Sequence, residues 1–210
     1  MEAFFGSLVS FLAILNPFAL CLYLEEVMAK FERKGFIRVL ASACAFSLAV
    51  FLLCAYGGEP FLRRVLRVKP EAMRVFGGLI FLIVGYNYAV KGYRTAELLR
   101  GSLEEVPAAI AMPLMIGAGT ITQSILIGKA LPTWEWALAL TIGVGAAFAI
   151  VVAFKVIRDH VRARREALFD RYVAVLARVN GLVIGAISVN MIVTGLRALW
   201  ETGDGMNGMM

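Results

Sequence analysis

The stretch Leu12–Phe18, with the sequence LAILNPF, interrupts the first long apolar run of this chain. Proline lacks a backbone donor and clashes with the preceding turn, so we expect a helix here to bend or unwind at Asn16–Pro17. Another apolar run is interrupted about a hundred positions later by Pro113–Gly119, with the sequence PLMIGAG. Two halves that each begin with a broken helix are typical of transporters built from repeats, whose breaks meet near the bilayer midplane.

A second pair of segments also points to two repeats. Arg74–Ile80 (RVFGGLI) and Arg178–Ile184 (RVNGLVI) are separated by nearly the same offset as the first pair. We therefore divide a single membrane domain, residues 1–210, into repeat one at about 1–95, repeat two at about 105–200 and a flexible tail at 201–210. The alternative is that Gly and Pro are simply frequent in membrane helices.

The composition excludes a soluble protein. Hydrophobic residues make up 60% of the chain, and most uncharged runs approach the roughly 20 residues that cross a bilayer. Backbone groups in lipid must be satisfied within the protein, so these runs predict an all-α polytopic membrane protein. Three spans in each half would invert the second repeat relative to the first, with helices one and four broken. The six predicted spans are Ala3–Leu24, Val39–Tyr56, Val75–Val90, Val106–Gly128, Trp136–Phe154 and Val179–Leu196.

The basic residues predict the orientation of the chain. The net charge is +6, but the basic residues lie at span ends and in loops, so nucleic acid is not an expected partner. With Arg178 at the edge of span six left aside, thirteen of them follow spans one, three and five, against seven on the other side. The positive-inside bias therefore predicts a multi-pass protein of the cell (inner) membrane with both termini outside the cytoplasm.

The first break supplies two candidate substrate-binding residues, Asn16 and Pro17. Pro17 frees backbone carbonyls that must find a partner, and Asn16 carries both a donor and an acceptor at that point. The alternative is a proline kink in which Asn16 bonds to a neighbouring helix.

The second break supplies a larger set of candidates. Gly117 and Gly119 are poor helix formers, and a helix restarting after Gly119 would aim free N–H groups and a positive dipole end at a carboxylate. We expect the breaks to line one water-accessible cavity, and Gly119→Val to abolish uptake by a folded protein. The alternative is a small-residue packing interface with interhelical hydrogen bonds. The polar candidates that follow Gly119 are Thr120, Thr122 and Gln123.

Three further residues are candidates on weaker grounds. Asn87 in span three and Asn190 in span six occupy nearly equivalent positions in the two repeats, and interior packing without ligand contact is their alternative. Glu25 follows Pro17 by about two turns and is a candidate for carrying a coupling proton, unless it simply lies at the cytoplasmic interface. The chain has no nucleotide-binding loop, no paired catalytic carboxylates and no metal-ligand spacing, so we expect neither an enzyme nor a cofactor.

At these residues the chain resembles the MarC family of six-span integral membrane proteins, which belongs to the wider LysE-like transporter group. The matching segments are 15–18 in span one, 77–79 in span three, 111–122 in span four, and 178–182 through 190–195 in span six. Ala19 replaces a family Gly, Leu22–Leu24 replaces Pro-Ile-Phe, and Ala118 replaces the Pro of Gly-Pro-Gly. The resemblance implies transport of a small solute, since the family includes neutral amino acid transporters.

These observations predict a secondary transporter of small neutral amino acids or similar solutes. With no ATPase motif, transport would be driven by a gradient of H⁺ or Na⁺. The alternative is a non-transporting membrane scaffold or envelope-stress protein. A transporter requires a polar cavity at mid-depth and a scaffold does not. Homo-oligomerisation is left open by the sequence.

Overall fold

The computed structural model describes residues 1–60, 67–91 and 115–207 of the chain. Inside the helices, a further set of side chains lies outside this description: those of Glu25, Glu26, Lys30, Glu59, Lys91, 162–170 and 202–207.

All regular secondary structure in the described residues is helical. The helices are α1 (Glu2–Leu15), α2 (Pro17–Tyr23), α3 (Glu25–Lys30), α4 (Arg33–Pro60), α5 (Pro70–Lys91), α6 (Ala118–Ala130) and α7 (Thr133–Asn207).

Five stretches of the described chain are long and apolar enough to cross a membrane, and they coincide with five of the six predicted spans. They are Glu2–Tyr23, Arg33–Gly58, Pro70–Val90, Thr133–Val161 and Arg171–Glu201. The predicted span Val106–Gly128 begins among residues that the structure does not describe. Only its second half is seen, as the 13-residue helix α6.

The last two spans belong to one uninterrupted helical run, whereas the sequence predicts a loop between them. α7 contains 75 residues. The connection 155–171 contains neither Gly nor Pro and is rich in Arg, Ala and other good helix formers. Nothing in that composition ends a helix.

α7 nevertheless folds back on itself, because two distant parts of it lie beside the same short part of α1. A Cβ on Gly143 would come within 2.6 Å of Phe11, and a Cβ on Gly119 would come within 3.2 Å of both Ile14 and Met191. In a straight helix Gly143 and Met191 would be about 70 Å apart at 1.5 Å per residue. We call Thr133–Val161 the first limb of α7 and Arg171–Glu201 the second limb.

The second limb packs against α5 through glycines. A Cβ on Gly85 would lie 2.9 Å from the carbonyl oxygen of Gly181, and a Cβ on Gly181 would lie 2.9 Å from that of Gly85. Real Cβ atoms do not approach backbone oxygens so closely, so the two backbones touch here only because both residues are glycine.

The main apolar core joins α1, α2, α4 and the first limb. The rings of Phe11 and Phe51 meet edge to face with centroids 5.3 Å apart. Buried Lys155 crosses the end of this core: its Nζ donates to the backbone oxygen of Met28 (2.9 Å) and to Asp159 (2.7 Å). This contact ties the short helix α3 to the first limb.

α1 and α6 run in opposite directions. Ser10 of α1 contacts Gln123, whereas Ile14, one turn further along α1, lies against the earlier residue Gly119. Opposed first helices are what an inverted repeat requires. The two inverted three-helix repeats as a whole stay a prediction, because half of span four is not described.

Candidate functional site

The predicted break in the first span is present at one residue. α1 ends at Leu15 and α2 starts at Pro17, while Asn16 between them is left-handed, with φ 47° and ψ 78°. Asparagine tolerates this conformation better than most residues. Since Pro17 has no N–H, the carbonyl of Ala13 loses the donor that a continuous helix would supply.

The side chain of Asn16 links the break to the far end of the chain. The N–H of Ala19 donates to Asn16 Oδ1 (3.0 Å), which caps α2. Asn16 Nδ2 in turn donates to Oδ1 of Asn180 in the second limb (3.1 Å). The backbone N–H of Ala19 can only donate, so it must face Asn16 Oδ1, and Asn16 Nδ2 then faces Asn180 Oδ1. These two hydrogen bonds fix the orientation of both side-chain amides.

The series ends in a donor without a partner. Asn180 Nδ2 is buried and makes no hydrogen bond within the described part of the chain. An unpaired amide in an apolar setting costs several kcal/mol. Asn180 is therefore poised to donate to an acceptor outside the described part of the chain.

Asn16 and Asn180 both line a cavity of about 590 Å³ between α1, α2 and the two limbs of α7. That volume lies in the range of small-molecule sites. The two amides are the strongly polar groups in a wall built otherwise from apolar side chains such as Leu12, Phe154 and Ile187. A smaller cavity of about 40 Å³ lies on the other side of Asn16, beside Tyr23 and Phe81.

The large cavity opens at the side of the bundle. Its lining residues Val9 and Phe18 are 64% and 65% exposed, and Leu176 and Val179 are each 53% exposed. In a bilayer these side chains would face hydrocarbon. The isolated chain therefore leaves one wall of this cavity incomplete.

The break in span four is satisfied from within. α6 begins at Ala118, after Gly117 in an extended conformation (φ −110°, ψ 168°). The hydroxyl of Thr120 accepts from the N–H of Gly117 (2.9 Å) and lies 2.8 Å from the carbonyl oxygen of Met115, to which it donates. The helix thus begins one residue before Gly119, and the side chain of Thr120 pairs the N–H of the N-cap residue Gly117.

The other polar residues of α6 are also buried and bonded. The hydroxyls of Thr122 and Ser124 donate to carbonyls one turn earlier (2.7 and 2.8 Å). Gln123 Nε2 donates to Ser10 Oγ (3.0 Å). These contacts are those of a packing interface between α1 and α6.

Of the predicted binding residues, the structure brings Asn16 and Pro17 to the large cavity. Gly117, Gly119, Thr120, Thr122 and Gln123 lie together at the adjoining α1–α6 contact. The remaining residues are elsewhere: Asn87 is half-buried on α5, and Asn190 is exposed on the outer surface of the second limb. The side chain of Glu25, at the start of α3, lies outside the described residues.

Asn180 is the site residue that the sequence did not single out. It stands in the repeat segment RVNGLVI where the first repeat has Phe76. A polar residue replacing an aromatic one between two otherwise similar segments was the available signal. Its partner Asn16 is 164 positions away, and no local pattern predicts that pairing.

Comparisons with known proteins agree with the architecture. The profile of the MarC family, described as integral membrane proteins, matches residues 1–200. A "UPF0056 membrane protein" of Aquifex aeolicus is 29% identical over 210 residues, covering 93% of each chain. Another from Methanocaldococcus jannaschii is 25% identical, covering 94% of this chain and 97% of the relative.

A third, from Pyrococcus horikoshii, is 24% identical over 200 residues. No solved structure gives a significant match. Because the family profile covers nearly the whole chain, this protein belongs to the MarC family of integral membrane proteins.

Proposed function

We propose that this chain is a secondary transporter that binds a small, electrically neutral solute, of the neutral amino acid type, beside Asn16. The observation that carries the proposal is the coincidence of a helix break with a cavity of about 590 Å³. Broken helices in transporters place unpaired backbone groups at the solute site. The chain would act by binding and release, without catalysis and without a cofactor, in the inner membrane.

The lining of the cavity specifies the chemistry of the solute. No lining residue is charged, so a solute with a net charge would be poorly solvated there. Apolar side chains fit an apolar body, and the unpaired amide donor of Asn180 fits a carboxylate or carbonyl oxygen. Asn180 Nδ2 is buried in this conformation, so the solute binds to it once the Asn180 side chain turns toward the cavity.

Two backbone carbonyls that lack their usual helical N–H donors support ion coupling at the same break. The helical partner of the Ala13 oxygen would be Pro17, which has no N–H, and that of Leu15 would be Ala19, whose N–H donates to Asn16 instead. Unwound carbonyls are the ligands that coordinate Na⁺ in transporters with broken helices. We propose Na⁺ at these oxygens, or H⁺ carried by Glu25, as the coupling ion.

Counterflow in proteoliposomes tests the proposal. Protein reconstituted with unlabelled L-valine inside should accumulate labelled L-valine or L-alanine from outside, and Asn180→Leu should abolish that accumulation. Thr141→Val is the matched control, because Thr141 is exposed and its hydroxyl bonds within its own helix. Absence of counterflow for every neutral amino acid would overturn the proposal.

The second break favours a different candidate, a non-transporting membrane scaffold. Every polar side chain described on α6 between Thr120 and Ser124 is bonded inside the protein. A scaffold needs only such packing. Counterflow by the unmodified protein would exclude this candidate.

A further inference from the structure

One polar side chain lies on the outer surface of the second limb near its middle. Asn190 is exposed, about 6 Å from the centre of the span Arg171–Glu201 at 1.5 Å per residue. Its amide makes no hydrogen bond to any residue that the structure describes. An amide has two donors and one acceptor, and leaving them unpaired in hydrocarbon costs several kcal/mol.

Two exposed hydroxyl side chains in the spans are bonded within their own helices. The hydroxyls of Ser42 and Thr141 donate to carbonyls one turn earlier in their own helices (3.1 and 2.8 Å). Thr194 does the same, to the backbone oxygen of Asn190 (2.7 Å). These hydroxyls need nothing from outside the helix, whereas the Asn190 side chain does.

Asn190 stands in a stripe of small and apolar residues with heptad spacing. Neighbouring members of the stripe are separated alternately by three and four residues, as the a and d positions of a coiled coil are. All of them are exposed: Leu176, Val179, Val183, Ala186, Asn190 and Val193. A single asparagine at an a position of such a seam sets the register and number of the paired helices.

We infer that two copies of this chain associate in the membrane through this stripe, with Asn190 bonded to Asn190 of the second copy. A two-fold axis along the membrane normal makes the second limbs parallel and brings identical residues together. The Asn190 amide of each copy then donates an N–H to the oxygen of the other. This pairs the acceptor and one of the two donors of each side chain.

The second copy would also complete the cavity wall. Leu176, Val179 and Val183 of the stripe line the open side of the large cavity. A helix packed against them would separate the amides of Asn16 and Asn180 from lipid. The proposed association between two copies does not depend on whether the protein transports a solute.

Association is measured by energy transfer between donor- and acceptor-tagged copies in liposomes, over a range of protein-to-lipid ratios. The unmodified protein should form dimers. Asn190→Leu, which is apolar and suits a lipid-facing position, should need about tenfold more protein for half-association, the loss expected for two interhelical hydrogen bonds. Thr141→Val should associate as the unmodified protein does.

Cross-linking provides an independent measurement. In a background with the native cysteines replaced by alanine, Asn190→Cys should give a disulfide-linked dimer on oxidation. Leu138→Cys, on the exposed face of the first limb, should give no disulfide-linked dimer. The inference is overturned if the unmodified protein is monomeric at all ratios, if Asn190→Leu associates as tightly, or if the two cysteines cross-link equally.

Discussion

The two helix breaks lie in the first and the fourth predicted spans, and their backbone groups find different kinds of partner. At the first, Asn16 caps α2 with one atom and reaches Asn180 with another. At the second, Thr120 bonds to Gly117 and Met115 beside it in the chain. The first break thus leaves an unpaired donor at a cavity, while the second is closed by short-range contacts.

This difference shows that a break in a membrane helix is not by itself a binding site. What matters is where the freed backbone groups find their partners. At the second break, the hydroxyl of Thr120 pairs the Gly117 N–H and the Met115 carbonyl within the same segment of the chain. At the first break, the longer amide of Asn16 reaches Asn180 on another helix, where we propose that a solute binds.

The largest expected effect is that of Asn16→Leu. It removes the cap of α2, worth about 1 kcal/mol, and leaves the buried amide of Asn180 wholly unpaired, worth about 1–3 kcal/mol. We expect counterflow to be lost and the free energy of unfolding to fall by their sum. Asn16→Ser keeps a side-chain oxygen that can cap α2 but is too short to reach Asn180, so it should lose counterflow with the smaller loss of stability. Equal stability of the two variants would contradict the two roles assigned to Asn16.

Gly119→Val probes the contact of α6 with α1, α5 and the second limb. A Cβ there would come within 3.2–3.4 Å of Ile14, Met191 and Phe81, so the larger side chain should destabilise the fold by about 1–3 kcal/mol. The expectation of a fully folded but inactive variant is thereby revised. Gly145→Val is the control, since no heavy atom lies within 4 Å of its Cβ position. If Gly119→Val were as stable as the unmodified protein in a denaturant titration, the side chains around residue 119 would have to move aside at little cost.

Thr120→Val isolates the closure of the second break. The change leaves the Gly117 N–H and the Met115 carbonyl without their partner and should lower stability by about 1–3 kcal/mol. If this break does not face the solute, the KM of counterflow should rise far less than in Asn180→Leu. A KM effect as large as that of Asn180→Leu would place both breaks at the site.

The smallest effect is expected for the contact between α1 and α6. A double-mutant cycle of Ser10→Ala and Gln123→Leu should give a coupling energy of about 0.5–1.5 kcal/mol, the net worth of one hydrogen bond. The measurement is unfolding of the four proteins under identical detergent conditions. Additive effects would mean that the two side chains are not bonded in the membrane.

Hydropathy and proline chemistry are local properties, and they predict the local features well. Five spans and the break at Asn16 follow from them. The pairing of Asn16 with Asn180 could not be predicted, because it depends on how α7 folds back across the bundle. Nor could the exposure of Asn190, since periodicity shows that a residue lies on a face but not what that face contacts.

The capping of α2 by Asn16 has a consequence for the speed of binding. Because the interruption is held open by its own side chain and by the N–H of Asn16 bonded to Leu12, no helix has to unravel when a ligand arrives. Such a site is preorganised, and the ordering entropy that weakens binding to flexible segments is largely absent. Association should then be governed by diffusion into the cavity and by rotation of the Asn180 side chain, which first has to break its hydrogen bond with Asn16.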